Sequence, residues 1–184
     1  MGIPDIVFVD ELLTSLKILG SVASMYEGYA VEHGYLKLLE LIKLQDYPMN
    51  SNVCLVAARN NRIDILKWLM ELEEFEFNWL KEIAQGSIEG GHLEILQWVE
   101  DMGYSVGPDI GFLICEQGHV ELLKYWHQKG KEIPESWYFH AITFNQLAII
   151  QYMKLINISW NKPICILVAS KYGTSELIEW VKEN

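Results

Sequence analysis

Apolar residues recur along the chain in a pattern that is repeated six times. Counted from a Gly or Asn at position zero, positions two, four, five and eight are apolar in nearly every copy, and position six is polar. These apolar positions share one face of a helix with 3.6 residues per turn, so each copy predicts an amphipathic helix. The residues at position zero are Gly34, Asn61, Gly91, Gly118, Asn145 and Gly173.

A shorter stretch rich in small residues precedes each amphipathic helix, as in Val56-Ala57-Ala58 and Val168-Ala169-Ser170. Small side chains permit close helix approach, and the Gly or Asn at position zero is predicted to close this first helix in a left-handed conformation. The unit is therefore a helix, a tight turn and a second helix. Successive units are spaced by 27, 30, 27, 27 and 28 residues. A fixed period in this range is typical of a stacked array, here an all-α solenoid of about six units joined by short fingers or loops.

Most chemically distinctive side chains have a position within the repeat, which favours structural roles for them. Position three is acidic in four copies and is expected to stabilise the start of the second helix. Position seven is aromatic in five copies, and such a regular column is expected in the core or in the packing between repeats rather than in a ligand site. Position one holds His92 and His119 but also Arg62, so hydrogen bonding at the helix start is more plausible there than metal ligation.

Composition and charge indicate how many domains the chain forms and which partners suit it. The chain has 184 residues, of which 51% are hydrophobic, and no shift in composition divides it. We expect one array over residues 24–184, preceded by a capping segment over residues 1–23. The formal net charge is −11, the opposite of what binding to nucleic-acid phosphates requires. Nucleic acid is not expected as a partner, whereas a basic protein partner is compatible with this charge.

No catalytic, metal or cofactor site is expected. Cys54, Cys115 and Cys165 lack the spacing of a zinc site and are predicted to be buried thiols in a reducing compartment. The sequence contains no nucleophile elbow, zinc-protease or phosphate-binding motif. It also lacks the pattern of a secretory signal and any run of eighteen apolar residues. These features predict an intracellular, cytoplasmic protein with no membrane partner.

Two copies carry a resemblance to a known family. The stretches 57–69 (AARNNRIDILKWL) and 89–99 (EGGHLEILQWV) resemble the helix–turn–helix part of an ankyrin repeat, and the resemblance covers roughly residues 24–184. The period of 27–30 residues is shorter than the usual length of about 33, and the T-P-L-H opening is absent. Shortened, aromatic-rich copies resemble the divergent ankyrin arrays of large DNA viruses of protists. This resemblance implies a viral, non-catalytic protein-binding scaffold in the host cytoplasm, which binds its partner through the concave face and the loop tips of the array.

The loops between units contain the candidate partner-binding residues. The segment 72–79 combines acidic and aromatic residues, and one interpretation is that it docks a basic, partly apolar peptide; 102–108 and 156–161 are further loops. Phe75, Phe77 and Tyr104 are the aromatics most expected to be exposed. The alternative is a solvated charged loop whose phenylalanines pack into the array. The complete candidate set is Glu73, Glu74, Phe75, Phe77, Tyr104 and Tyr47.

Two other functions are left open by the sequence. The array could be a structural or self-assembling component of a larger complex. It could also be an adaptor for ubiquitin ligase machinery, because Pro4 and the acidic segment 10–13 (DELL) resemble the start of an F-box. About twenty residues are too few for a complete F-box, so capping is the stronger interpretation of residues 1–23.

Overall fold

The structure, a computed structural model, describes residues 20–44 and 47–184. Within these ranges every regular element is a helix and there is no strand. The prediction of an all-α chain is therefore confirmed for the described residues. The predicted cap over residues 1–23 lies outside them except for its last four residues, which belong to the first described helix.

The helices follow the six copies in order, and each copy contributes a first helix, a turn and a second helix. The first helix of the fourth copy consists of two short segments. The helices are α1 (Gly20–His33), α2 (Leu36–Lys43), α3 (Ser51–Arg59), α4 (Ile63–Met70), α5 (Trp79–Gly90), α6 (Leu93–Asp101), α7 (Pro108–Gly111), α8 (Leu113–Gln117), α9 (Val120–Gln128), α10 (Trp137–Thr143), α11 (Leu147–Leu155), α12 (Lys162–Tyr172) and α13 (Ser175–Glu183).

The described residues form two compact units, one ending at Gly90 and the other beginning at Gly91. In the first unit, α3 packs against its own second helix α4 and against the first helices α1 and α5. In the second unit, α10 packs in the same way against its partner α11 and against α8 and α12. Within each unit, therefore, first helices stack on first helices. The single array over residues 24–184 stays a prediction.

Positions four, five and eight of the repeat form most of the core. The residue at position eight is buried in all six copies, and the residue at position five is buried in all but the last, where Ile178 is half-buried. Position two was expected to be interior, and this is wrong: its residues are half-buried, and Ser175 is exposed. The reason is that position two is the first residue of each second helix, where the turn leaves one side open.

The turn residue adopts the predicted left-handed conformation in five copies. The φ angles are 77° at Gly34, 56° at Asn61, 76° at Gly91, 80° at Gly118 and 58° at Asn145. Glycine meets this requirement without strain, and Asn tolerates it better than most residues.

The sixth turn residue does not follow the prediction. Gly173 has an extended backbone, with φ −79° and ψ 156°. The next residue, Thr174, caps α13 instead, since its side-chain oxygen accepts a hydrogen bond from the Leu177 amide at 3.5 Å. The Thr174 amide also donates to Asn145 Oδ1 at 2.6 Å. A threonine N-cap has an extended backbone itself, so this turn enters its helix by a different route.

Candidate partner-binding site

The acidic loop, residues 71–78, connects α4 to α5 and is held by its own turns. The Phe75 amide donates to the Leu72 carbonyl at 3.1 Å. The Phe75 ring lies edge-on to the ring of Trp79, with a centroid separation of 5.6 Å. Trp79 is buried, and Phe75, which packs against it, is half-buried. The expectation that Phe75 is exposed is therefore wrong. This phenylalanine packs on the start of α5, as the alternative interpretation anticipated.

Glu74 is also engaged within the first unit. Its carboxylate accepts a hydrogen bond from the Lys43 ammonium at the end of α2, and both side chains are partly buried. The ion pair joins the acidic loop to the preceding copy. Because this carboxylate already has a cationic partner, it contributes less negative charge to the surface than its neighbours. Its role in partner binding stays a prediction.

Unlike Phe75 and Glu74, the Phe77 ring and three other glutamates of the acidic loop face solvent. Phe77 is 61% exposed, which confirms the prediction for this residue. Glu71, Glu73 and Glu76, which precede it in sequence, are also exposed. The Phe77 carbonyl accepts a hydrogen bond from the Leu80 amide at 3.1 Å, which fixes the backbone at the start of α5. The result is an apolar ring on a constrained backbone, directly after a segment of exposed carboxylates.

Two candidate tyrosines occupy the same place in the repeat as Phe77. Tyr47, Phe77 and Tyr104 each lie 14 residues before the turn residue of their own copy, and both tyrosines are half-buried. The expectation that Tyr104 is exposed is therefore wrong. The sequence prediction chose these three residues as loop aromatics and missed their common register. Counting backward from position zero reveals it in the sequence.

Tyr104 lies in a shallow depression of about 150 Å³ that is also lined by Glu100, Gly103 and Ser105. The acid at its edge belongs to a polar network. Glu100 accepts a hydrogen bond from the Tyr125 hydroxyl at 2.5 Å and another from the Lys131 ammonium. Burial and this hydrogen bond raise the pKa of Tyr125 well above its usual value. The Glu100 carboxylate is therefore committed to holding two copies of the second unit together.

Two polar residues at position one hold copies together, although helix-start hydrogen bonding was expected there; that role is seen at Thr174, which caps α13. None of Arg62, His92, His119 and Gln146 caps its own helix with its side chain. Instead, the Arg62 guanidinium donates to the Glu32 carbonyl at 2.7 Å, and the Gln146 amide donates to the Glu116 carbonyl at 2.8 Å. Both accepting carbonyls lie at the end of the preceding copy's first helix, where such groups lack a helical partner.

The three cysteines are free and buried, as predicted. Burial raises the pKa of Cys54 to about 12 and that of Cys165 to about 11, and it raises the pKa of Cys115 further still. A thiol is a nucleophile or metal ligand only as the thiolate, so these side chains behave as small apolar core residues.

The remaining features of the described chain concern metals, membranes and relatives. The described residues contain no group of three or more His, Cys, Asp or Glu side chains that could hold a metal ion. Among the described helices, none combines the length and the apolar character needed to cross a bilayer. No protein-family model matches the sequence, and no curated protein is similar to it.

Proposed function

We propose that this chain is a non-catalytic protein-binding scaffold in which an ankyrin-like array presents the acidic loop to a basic, partly apolar peptide. The observation that carries the proposal is Phe77, a large apolar side chain that is 61% exposed and stands among exposed carboxylates. The packing of first helix on first helix within each unit supports the array. A repeat scaffold of this kind holds its loops in fixed positions, which suits recognition rather than catalysis.

The energetics favour Phe77 as the anchor. Burying a phenylalanine side chain contributes about 1.5–3 kcal/mol, and aromatic anchors commonly dominate interfaces. The Phe77 backbone is already fixed by the hydrogen bond to Leu80, so binding orders only its two side-chain torsions. A partner that covers this ring gains most of its affinity from one residue.

The acids around Phe77 set the kind of peptide that fits. Glu71, Glu73 and Glu76 are exposed, so they attract lysine and arginine side chains next to the segment that covers the ring. Such attraction is screened at distances beyond about 8 Å at physiological ionic strength. Affinity should therefore fall with added salt but should persist in part, because burial of the ring is insensitive to screening.

Selection from a random-peptide display library tests the proposal without a known partner. Enriched peptides are expected to place an apolar residue between basic ones, and Phe77→Ser is expected to weaken their binding by tenfold or more. Phe144→Ser is the matched control, since Phe144 is also exposed, at 50%, but lies in the second unit. The double charge reversal Glu73→Lys with Glu76→Lys should weaken binding and reduce its salt dependence. Equal loss in the Phe144 control, or enrichment of acidic peptides, would overturn the proposal.

A further inference from the structure

Large exposed apolar side chains concentrate in the first and last copies of the repeat. Of the nine in the described chain, six lie there: Tyr29, Tyr35 and Leu44 in the first copy, and Ile164, Leu167 and Tyr172 in the last. Exposed apolar residues that cluster in this way mark interaction surfaces more often than scattered ones do. The positions of two of them within the repeat indicate what covers them.

In each unit, one pair of neighbouring first helices shows the same contact, in which the residue six before the turn residue of one copy lies against the residue five before the turn residue of the next. In the second unit these are Phe112 and His140, whose ring centroids are 4.7 Å apart. In the first unit they are Leu55 and Gly86, which approach so closely that a Cβ on Gly86 would lie 2.2 Å from the Leu55 carbonyl oxygen. The corresponding pair in the first two copies, Gly28 and Val56, does not show it, since a Cβ on Gly28 would meet no atom of the described residues within 4 Å.

The two ends of the described chain carry the unmatched halves of this contact. Leu167 is the residue six before the turn residue of the last copy, and it is 70% exposed on α12. Tyr29 is the residue five before the turn residue of the first copy, and it is 49% exposed on α1. Each therefore occupies a repeat position that, in those two pairs, contacts a neighbouring copy.

Two charged residues at another repeat position also pair in order along the chain, with the cation on the earlier helix and the acid on the later one. The residue two before the turn residue is Arg59 in the second copy and Glu89 in the third, and the Arg59 guanidinium donates to the Glu89 carboxylate, with Nε 2.7 Å from Oε2. At the ends of the chain, the corresponding residues are Lys171 in the last copy and Glu32 in the first, both exposed. The cation again belongs to the earlier helix and the acid to the helix that would follow it.

We propose that a second copy of this chain binds head to tail, with the α1 face of one molecule on the α12 face of another. Leu167 then packs on Tyr29, and Lys171 pairs with Glu32. The two surfaces differ, so the interface is heterologous, and a dimer still has one free α1 face and one free α12 face. This association uses residues separate from the acidic loop and goes beyond the peptide binding proposed above. It requires that residues 1–19 leave the Tyr29 side of α1 open, so it is an alternative to the capping role predicted for this segment.

Light scattering of the full chain over a range of concentrations tests the proposal with single-face variants. The wild-type mass is expected to rise with concentration, while Leu167→Glu and Tyr29→Glu should each stay monomeric. An equimolar mixture of the two variants retains one intact surface of each kind, so it should form a heterodimer of about twice the monomer mass and nothing larger. Leu155→Glu is the matched control, because Leu155 is 75% exposed but does not occupy the stacking position.

A charge exchange provides a second test that leaves the apolar residues in place. Lys171→Glu and Glu32→Lys should each weaken association, and the chain carrying both changes should recover it. A wild-type chain that stays monomeric at every concentration would overturn the proposal. So would a mixture of the two single-face variants that stays monomeric, or a Leu155→Glu chain that is impaired as much as Leu167→Glu. Peptide binding at Phe77 is unaffected by any of these variants, so failure here is distinguishable from failure of the proposed function.

Discussion

Replacing Leu66 by Ala examines whether the repeat columns form the core. Leu66 stands at position five of the second copy, on α4, and is fully buried. Leu44 lies in the same compact unit but is 74% exposed, so Leu44→Ala is the matched control. The two substitutions remove the same three carbon atoms and differ only in how the lost side chain is surrounded.

The magnitude follows from the burial. Three carbon atoms at about 0.8 kcal/mol each correspond to roughly 2.4 kcal/mol of lost transfer free energy. The cavity that remains adds to this loss, and measured Leu→Ala costs in cores run from about 2 to 5 kcal/mol. We therefore expect Leu66→Ala to lower the free energy of unfolding by about 2–5 kcal/mol. Leu44→Ala should change it by no more than about 0.5 kcal/mol.

Urea unfolding followed by circular dichroism measures both free energies. Because the structure contains two compact units, the transition is also followed by tryptophan fluorescence, and coincident curves justify a two-state fit. A shift in midpoint at unchanged slope reports stability alone. A loss in Leu66→Ala no greater than that in Leu44→Ala would refute the assignment of position five to the interior.

Two further predictions concern the turns and a buried acid. Gly118→Ala should destabilise the chain more than Gly130→Ala in urea unfolding. Both glycines have a positive φ, of 80° and 68°, which costs an L-residue about 1–2 kcal/mol. Only at Gly118 would the new carbon also lie 2.2 Å from the Gln146 side chain. Equal losses would contradict this contact between copies. Glu27→Gln should flatten the pH dependence of stability, because burial raises the pKa of Glu27 from 4.5 to about 7. As the pH rises, Glu27 therefore ionises in the unfolded chain before it does so in the folded one. Its contribution to the free energy of unfolding is complete below about pH 4.5, and about 2–3 kcal/mol of that contribution is lost as the pH rises through 7. Denaturation at about pH 5 and pH 8 checks this, and parallel pH profiles for the two proteins would contradict it.

Much of the helical framework could be predicted from the sequence because it depends on local periodicity. Positions four, five and eight share a helix face whatever surrounds them, and burial at these positions is confirmed except at Leu38 and Ile178, which are half-buried. The left-handed turn at five of six copies was predictable for the same reason, since it depends on the backbone preference of Gly and Asn. Gly173 differs because the next residue, Thr174, caps the following helix with its side chain, and the repeat pattern does not predict that cap.

The candidate site was harder to predict because its exposure depends on contacts between residues distant in sequence. Phe75 and Phe77 are two residues apart and chemically identical, yet only one packs against Trp79. Glu74 is half-buried because Lys43, 31 residues earlier, reaches it. The Arg62 side chain bonds to the preceding copy, whereas Thr174 at the same repeat position caps its own helix. Periodicity identifies which residues repeat, but it does not identify which neighbour each one meets.

Hydrogen exchange of the chain with and without a selected basic peptide tests most directly whether the acidic loop is the binding surface. The account predicts slower amide exchange over residues 71–78 and the first turn of α5 when the peptide is bound, with exchange in α12 and α13 unchanged. Protection that spares residues 71–78 and appears elsewhere in the chain would contradict it.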